Sequence, residues 1–199
     1  MRQEPYGGRR NASEHREWGE ALSANVCTGC TGACCLDVIV GISGFDAWRI
    51  ARANALAFED FVTVATAEEG SPGAFRLGEG FGALVLARNA NDGRACMFLE
   101  ASRDGARRCA THPSRPRVCR SYPMGLDGDV LVLRADVTCG PDDWNVATIT
   151  RDLWLRDLAE EAAEWSRYER VVSDWNSTGR HEFEAFLRFV RRACDETRH

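Results

Sequence analysis

The sequence contains no lysine, and all 25 of its basic residues are arginine. This absence excludes enzymes that form a Schiff base or hold pyridoxal phosphate through a lysine, and it excludes the lysine of a P-loop. The His-Glu-x-x-His motif of zinc proteases and the Gly-x-Ser-x-Gly motif of hydrolases are missing as well. Catalysis by any of these arrangements is therefore not open to this chain.

Long apolar runs are also missing, since none approaches the roughly 20 residues that a membrane helix needs. Residues 1–20 are polar and lack the apolar stretch of a secretion signal. The net charge of −5 gives no support to nucleic-acid binding. We therefore expect a cytoplasmic protein, with reduced cysteines, that has neither a membrane nor a nucleic acid as partner.

Cysteine is the residue type in which the chain is rich, with nine in all. The run at residues 27–35 reads Cys-x2-Cys-x3-Cys-Cys, and four more cysteines follow it at wider spacing. An adjacent pair and an odd total fit a disulfide framework poorly. Eight thiolates are enough for two four-ligand sites or one larger cluster. The predicted metal ligands are Cys27, Cys30, Cys34, Cys35, Cys96, Cys109, Cys119 and Cys139.

The spacing within the first run limits how these ligands are shared. Cys27 and Cys30 can place two sulfurs on one metal, and Cys34 can add a third. Cys35 is expected to diverge from its neighbour, which favours two sites or a multinuclear cluster. Thiolates suit both zinc and iron–sulfur clusters, so spacing does not separate them. Cys194 continues the apolar face of the last helix, and we predict that it packs in the core.

Four residues around Cys119 are candidates to support the ligands or to contact a substrate: His112, Arg115, Arg120 and Tyr122. His112 is either a ligand or proton carrier, or a histidine of an ordinary loop. Guanidinium groups at positions 115 and 120 would offset thiolate charge and donate hydrogen bonds to sulfur. Alternatively, they pair with carboxylates and fix a proline-rich loop.

Local patterns predict several short elements before residue 145. Ser43, followed three residues later by Asp46, predicts a helix N-terminus. Residues 38–40 are an apolar run typical of a strand, and residues 81–99 have the pattern of a β-hairpin. The three prolines in residues 105–125 predict a loop.

Apolar residues recur at helical spacing in two later segments, residues 155–165 and 183–190. The predicted fold class is α+β, with a small metal-organised core of short strands, loops and helices and a helical C-terminal third. We divide the chain into a disordered polar leader at residues 1–20, a cysteine-cluster metal-binding domain at 21–144, and C-terminal helices at 145–199 that pack on the core.

Several pieces of the chain resemble the bacterial YkgJ-like cysteine-cluster family, which is described as a zinc- or iron-chelating CxxCxxCC domain. They are residues 27–35, residues 42–52 in the place of the family's first helix, residues 93–99 with their cysteine, and the Arg-Pro-x2-Cys-Arg-Ser-Tyr-Pro sequence of residues 115–123. With Cys109 the resemblance extends over about residues 24–141, although the first run is one residue longer than the family's name. It implies metal binding, as iron–sulfur or zinc, and a distant likeness to flagellin lysine N-methylases, which use S-adenosylmethionine.

Together these features predict a metal-binding protein that holds iron, either in an iron–sulfur cluster or bound directly by thiolates. Such a protein would act as an iron-dependent redox or group-transfer enzyme on a small molecule or a peptide. The alternative is a structural zinc site in an interaction or metal-handling module without catalysis.

Overall fold

The computed structural model of the chain describes residues 32–91, 93–101, 107–134, 137–138, 151–179 and 181–197. The α-helices in these ranges are α1 (Ala33–Asp37), α2 (Gly44–Asn54), α3 (Arg117–Ser121), α4 (Arg151–Asn176) and α5 (Phe183–Glu196). The strands are β1 (Val62–Ala67), β2 (Phe75–Leu77), β3 (Gly80–Leu86), β4 (Leu99–Ala101), β5 (Arg107–Cys109), β6 (Met124–Asp127) and β7 (Val130–Leu133). The predicted α+β fold class with a helical C-terminal region is therefore confirmed.

Helix α2 begins at a capping box, as the sequence predicts. The Oγ of Ser43 accepts the N–H of Asp46 at 3.0 Å, and the carboxylate of Asp46 accepts the N–H of Ser43 at 3.1 Å. The helix ends at Ala55, whose φ of 55° lies in the left-handed region. Ala47 and Ile50 are fully buried, so this helix is anchored through its first half.

The largest sheet has three antiparallel strands in the order β1–β3–β2. The hairpin predicted over residues 81–99 forms only in part. Backbone hydrogen bonds join residues 87–89 to residues 95–97, whereas β3 pairs with β1 and β2. After β3, the described residues add one isolated bridge, between Arg88 and Cys96. The β-branched run at the start of β1 pairs with β3 over six residues. The six-residue ladder with β1 therefore forms instead of the predicted pairing of β3 with residues 95–99, which are closer in sequence but offer fewer paired residues.

The strand predicted at residues 38–40 is wrong as well. This segment touches the edge of β3 through a single bridge between Gly41 and Val85, and the side chain of Ile39 is 65% exposed. The ladder stops there because the chain turns away immediately to begin α2 at Gly44.

Two small hairpins, β4–β5 and β6–β7, follow the main sheet. Leu99 stands opposite Cys109 in the first, and Gly128 provides the positive φ of 59° at the turn of the second. The prediction of a loop over residues 105–125 is wrong, since β5, α3 and the start of β6 lie within it. Elements of three to five residues are too short to show a hydrophobic period.

One hydrophobic core joins the main sheet and α2 to the two C-terminal helices. The ring of Phe75 in β2 stacks on that of Phe186 in α5, with centroids 3.7 Å apart. Gly44 allows α2 to approach α5 closely, because a Cβ at this position would lie only 2.3 Å from Cγ1 of Val190. Cys194 is 3% exposed within this core, which confirms its predicted packing role.

Helix α4 buries only part of the face that its apolar spacing indicates, since Leu158 and Trp165 pack against buried clusters. Tyr168, Val172 and Trp175 enter the core, whereas Ala162 is exposed. Trp154, near the start of α4, is 2% exposed and packs with Met124 in a second, smaller cluster. Among the described helices, none combines the length and the apolar content that crossing a lipid bilayer requires.

Candidate metal centre

Five of the eight predicted ligands lie within the described residues, on four separate pieces of the chain. Helix α1 carries two, and the segment between β3 and β4, the end of β5 and the middle of α3 carry one each; they are Cys34, Cys35, Cys96, Cys109 and Cys119. Of these, Cys34, Cys35, Cys96 and Cys119 are free thiols, and so is Cys194 in the core. The other three predicted ligands, Cys27, Cys30 and Cys139, lie outside the described residues.

The sulfurs of Cys34 and Cys35 lie 4.0 Å apart. The expectation that these neighbouring side chains diverge is therefore wrong. Two sulfurs on one tetrahedral zinc, each about 2.3 Å from the metal, are about 3.8 Å apart, so the pair is close to the edge of a tetrahedral site. The hydrogen bond between them is the main cause that lowers the pKa of Cys34 to about 7, and it raises the pKa of Cys35.

Backbone hydrogen bonds tie Cys96 to helix α1. The N–H of Cys96 donates to the carbonyl of Cys35 at 2.6 Å. The guanidinium of Arg88, which faces Cys96 across the isolated bridge, donates to the carbonyl of Leu36 at 3.4 Å. This segment is thereby held beside the Cys34–Cys35 pair.

The thiols influence one another electrostatically. Burial raises the pKa of Cys119 well above its usual value, and thiolate charges on Cys34, Cys96 and Cys109 raise it further. Cys35 experiences the charges of Cys34, Cys96 and Cys119 in addition to its hydrogen bond and its burial. Each thiolate makes it harder for its neighbours to ionise, because the negative charges repel. A bound divalent cation offsets this repulsion and stabilises the thiolate forms. The donor chemistry therefore fits zinc or iron.

The described residues do not complete a metal site by themselves. Among them, no three His, Cys, Asp or Glu side chains stand close enough together to hold one ion. Their contribution is a close sulfur pair on α1, the Cys96 segment hydrogen-bonded to that helix, and two further thiols on β5 and α3.

The two arginines predicted near the ligands bind carboxylate and carbonyl oxygens. Arg120 pairs with Asp157 of α4 at 3.0 Å, which is the carboxylate arrangement foreseen as one alternative. Arg115 donates from Nε to the carbonyl of Cys119 at 3.3 Å and from Nη1 to the carbonyl of His112 at 3.1 Å. Both side chains thus hold the backbone around Cys119 in place.

His112 and Tyr122 flank this arginine-rich segment. His112 is exposed, and burial of part of its ring together with the charge of Arg115 lowers its pKa. The hydroxyl of Tyr122 accepts the N–H of Thr138 at 2.8 Å. This contact fixes the residue directly before Cys139 beside the end of α3.

Sequence reasoning missed a row of acids on α4 that faces α3. The four carboxylates recur at i, i+3, i+4 and i+7, so they share one helix face; they are Asp157, Glu160, Glu161 and Glu164. We call them the α4 acidic row. Their helical spacing is visible in the sequence, but an acidic stripe is usually a solvated face.

A family model described as "CxxCxxCC: Putative zinc- or iron-chelating domain" matches residues 26–140 of the chain. All eight predicted ligands fall inside this range, whereas α4 and α5 lie beyond it. Neither a curated protein nor a solved structure matches the chain.

Proposed function

The chain belongs to the family of the zinc- or iron-chelating CxxCxxCC domain, and from this premise we propose that a thiolate-bound metal holds its cysteine-bearing elements together. The ligands come from α1, the segment before β4, β5 and α3, joined by the cysteines of residues 27–30 and by Cys139. The metal would be zinc or iron. The abundance of free thiols favours a reducing compartment, the cytoplasm.

The observation that carries this proposal is the shortness of every described element that bears a ligand. Helices α1 and α3 have five residues each, and strands β4 and β5 have three each. Helices of this length are unstable alone, and an isolated two-stranded hairpin is marginal. Metal binding supplies folding free energy to such units directly, as in other small metal-organised domains.

A second candidate function is catalytic, and the number of thiols favours it. A closed structural site uses four ligands, whereas the cysteine series offers eight. The surplus allows an iron–sulfur cluster, or a thiolate-bound iron with an open position for redox or group-transfer chemistry. The substrate would be a small molecule or a peptide.

The deciding experiment is elemental analysis and absorption spectroscopy of protein purified without oxygen. Zinc in a colourless protein, with loss of the circular dichroism signal on chelation, would support the structural site. Iron with equimolar sulfide and absorption at roughly 400 nm would support the redox candidate. A folded protein that contains neither metal, and takes up neither after reduction of its thiols, would overturn both proposals.

A further inference from the structure

The side chains of the α4 acidic row contact α3 along one side. Arg117 pairs with Glu160 and lies 3.5 Å from Glu164, and Arg120 pairs with Asp157 at 3.0 Å. The hydroxyl of Ser121 donates to Glu161 at 2.5 Å. Every member of the row therefore has a contact with α3.

The contacts on α3 come from one face, because Arg117, Arg120 and Ser121 stand at i, i+3 and i+4. Cys119 follows Arg117 by two residues, which places it about 200° around the helix. Its side chain thus leaves α3 on the side away from α4. Besides burial, the charges of Cys34 and Cys96 raise the pKa of Cys119, so this thiol is electrostatically coupled to other predicted ligands.

Helix α2 and its N-cap contact both α3 and the α4 acidic row. Asp46 accepts the backbone N–H of Arg117, the first residue of α3, at 2.9 Å. Glu164 accepts the hydroxyl of Ser43 at 2.9 Å and the guanidinium of Arg49 at the same distance. Asp46 and Glu164 are 1% and 3% exposed, so this junction of α2, α3 and α4 is buried.

We propose that the α4 acidic row positions Cys119 as a metal ligand, which makes a helix beyond the family-matched range part of the metal centre. This inference rests on the proposed function, since it presumes that Cys119 binds the metal. A five-residue helix does not hold its own orientation, and α3 has its side-chain contacts with α4 on the face opposite the ligand. Contacts that orient a ligand typically change metal affinity 10- to 100-fold.

Two substitutions separate positioning from the simple effect of charge. Asp157→Asn removes a negative charge near the metal, and Arg120→Gln removes a positive one. If charge alone mattered, the first would weaken zinc binding and the second would strengthen it. Positioning predicts that both weaken it about 10-fold, and that the double variant is no weaker than the worse single one.

Zinc affinity is measured by competition with a chromophoric chelator, and cobalt substitution reports the thiolate-to-metal charge-transfer band. We expect that band to lose intensity in both variants and to return in Asp157→Glu. Glu169→Gln is the matched control, because it makes the same charge change on α4 at a residue that contacts Gly73. Its zinc affinity should stay within about twofold of wild type.

Stronger zinc binding by Arg120→Gln, or unchanged affinity in both variants, would overturn the positioning role. If a variant loses its far-ultraviolet signal even with zinc present, Ser121→Ala tests the same face by removing one oxygen, and unchanged affinity there counts against the proposal. Failure of wild type to bind zinc, iron or cobalt would instead refute the proposed function, so the two failures are distinct.

Discussion

The carboxylate of Asp46 accepts the backbone N–H of Arg117 at 2.9 Å through one oxygen and the N–H of Ser43 at 3.1 Å through the other. A single buried side chain therefore caps two helices, α2 and the ligand-bearing α3. Burial is the main cause that raises its pKa from 3.8 to about 6, and the charge of Glu164 adds to this effect. The junction is thus sensitive to pH.

Asp46→Asn should destabilise the protein, and more so at pH 5 than at pH 7. Between pH 3.8 and 6 the folded state binds more protons at Asp46 than the unfolded state does, so wild type gains stability as the pH falls through 6. The variant lacks this gain. We expect a cost of about 1 kcal/mol at pH 7 from the lost cap, and about 1 kcal/mol more at pH 5. Urea unfolding of the metal-loaded wild type and variant, compared at each pH, measures the difference, and an equal cost at the two pH values would contradict the raised pKa.

Cys119→Ala should reduce the metal bound per chain, because it removes the predicted ligand that α3 carries. Cys194→Ala is the matched control, since that thiol is buried in the apolar core. The control should keep the wild-type metal content while losing some stability. Elemental analysis after purification without oxygen decides between the outcomes. Full metal retention by Cys119→Ala would remove this residue from the ligand set.

Gly44→Ala should cost about 1–3 kcal/mol in the free energy of unfolding. The added Cβ would lie 2.3 Å from Cγ1 of Val190 and 3.0 Å from the ring of Tyr168, which forces α2 away from α4 and α5. Gly179→Ala provides the comparison, since its Cβ would meet no atom within 4 Å. Chemical denaturation of the two variants measures the difference. Equal stabilities would show that the three helices are less tightly packed than the structure indicates.

A chain truncated after residue 144 should fail to fold, with or without metal. The truncation removes seven buried side chains from the shared core: Tyr168, Val172, Trp175, Phe186, Leu187, Val190 and Cys194. It also removes the α4 acidic row that supports α3. Circular dichroism during urea titration should show no cooperative transition. A sharp transition together with wild-type metal content would establish residues 145–199 as a separate appendage.

Local chemistry accounts for what could be predicted from the sequence. The capping box at Ser43 and Asp46 requires residues only three apart, and the apolar face around Phe186 and Val190 requires one helical period. The thiolate donor set follows from residue type alone, and the family match agrees with the zinc or iron chemistry inferred from it. Such features depend only on residues close together in the chain, so they can be predicted without knowledge of the fold.

Strand partners and the support of the ligands depend on distant parts of the chain. The local pattern pointed β3 toward residues 95–99, whereas six paired residues in β1 offered the longer ladder. From its spacing alone, the α4 acidic row could equally be a solvated face. Only the packing of α4 against α3 shows that its carboxylates contact Arg117 and Arg120. The sequence by itself determined the ligand chemistry and the start of α2; the tertiary structure decided which segments meet, because burial stabilises contacts between residues that are far apart in the chain.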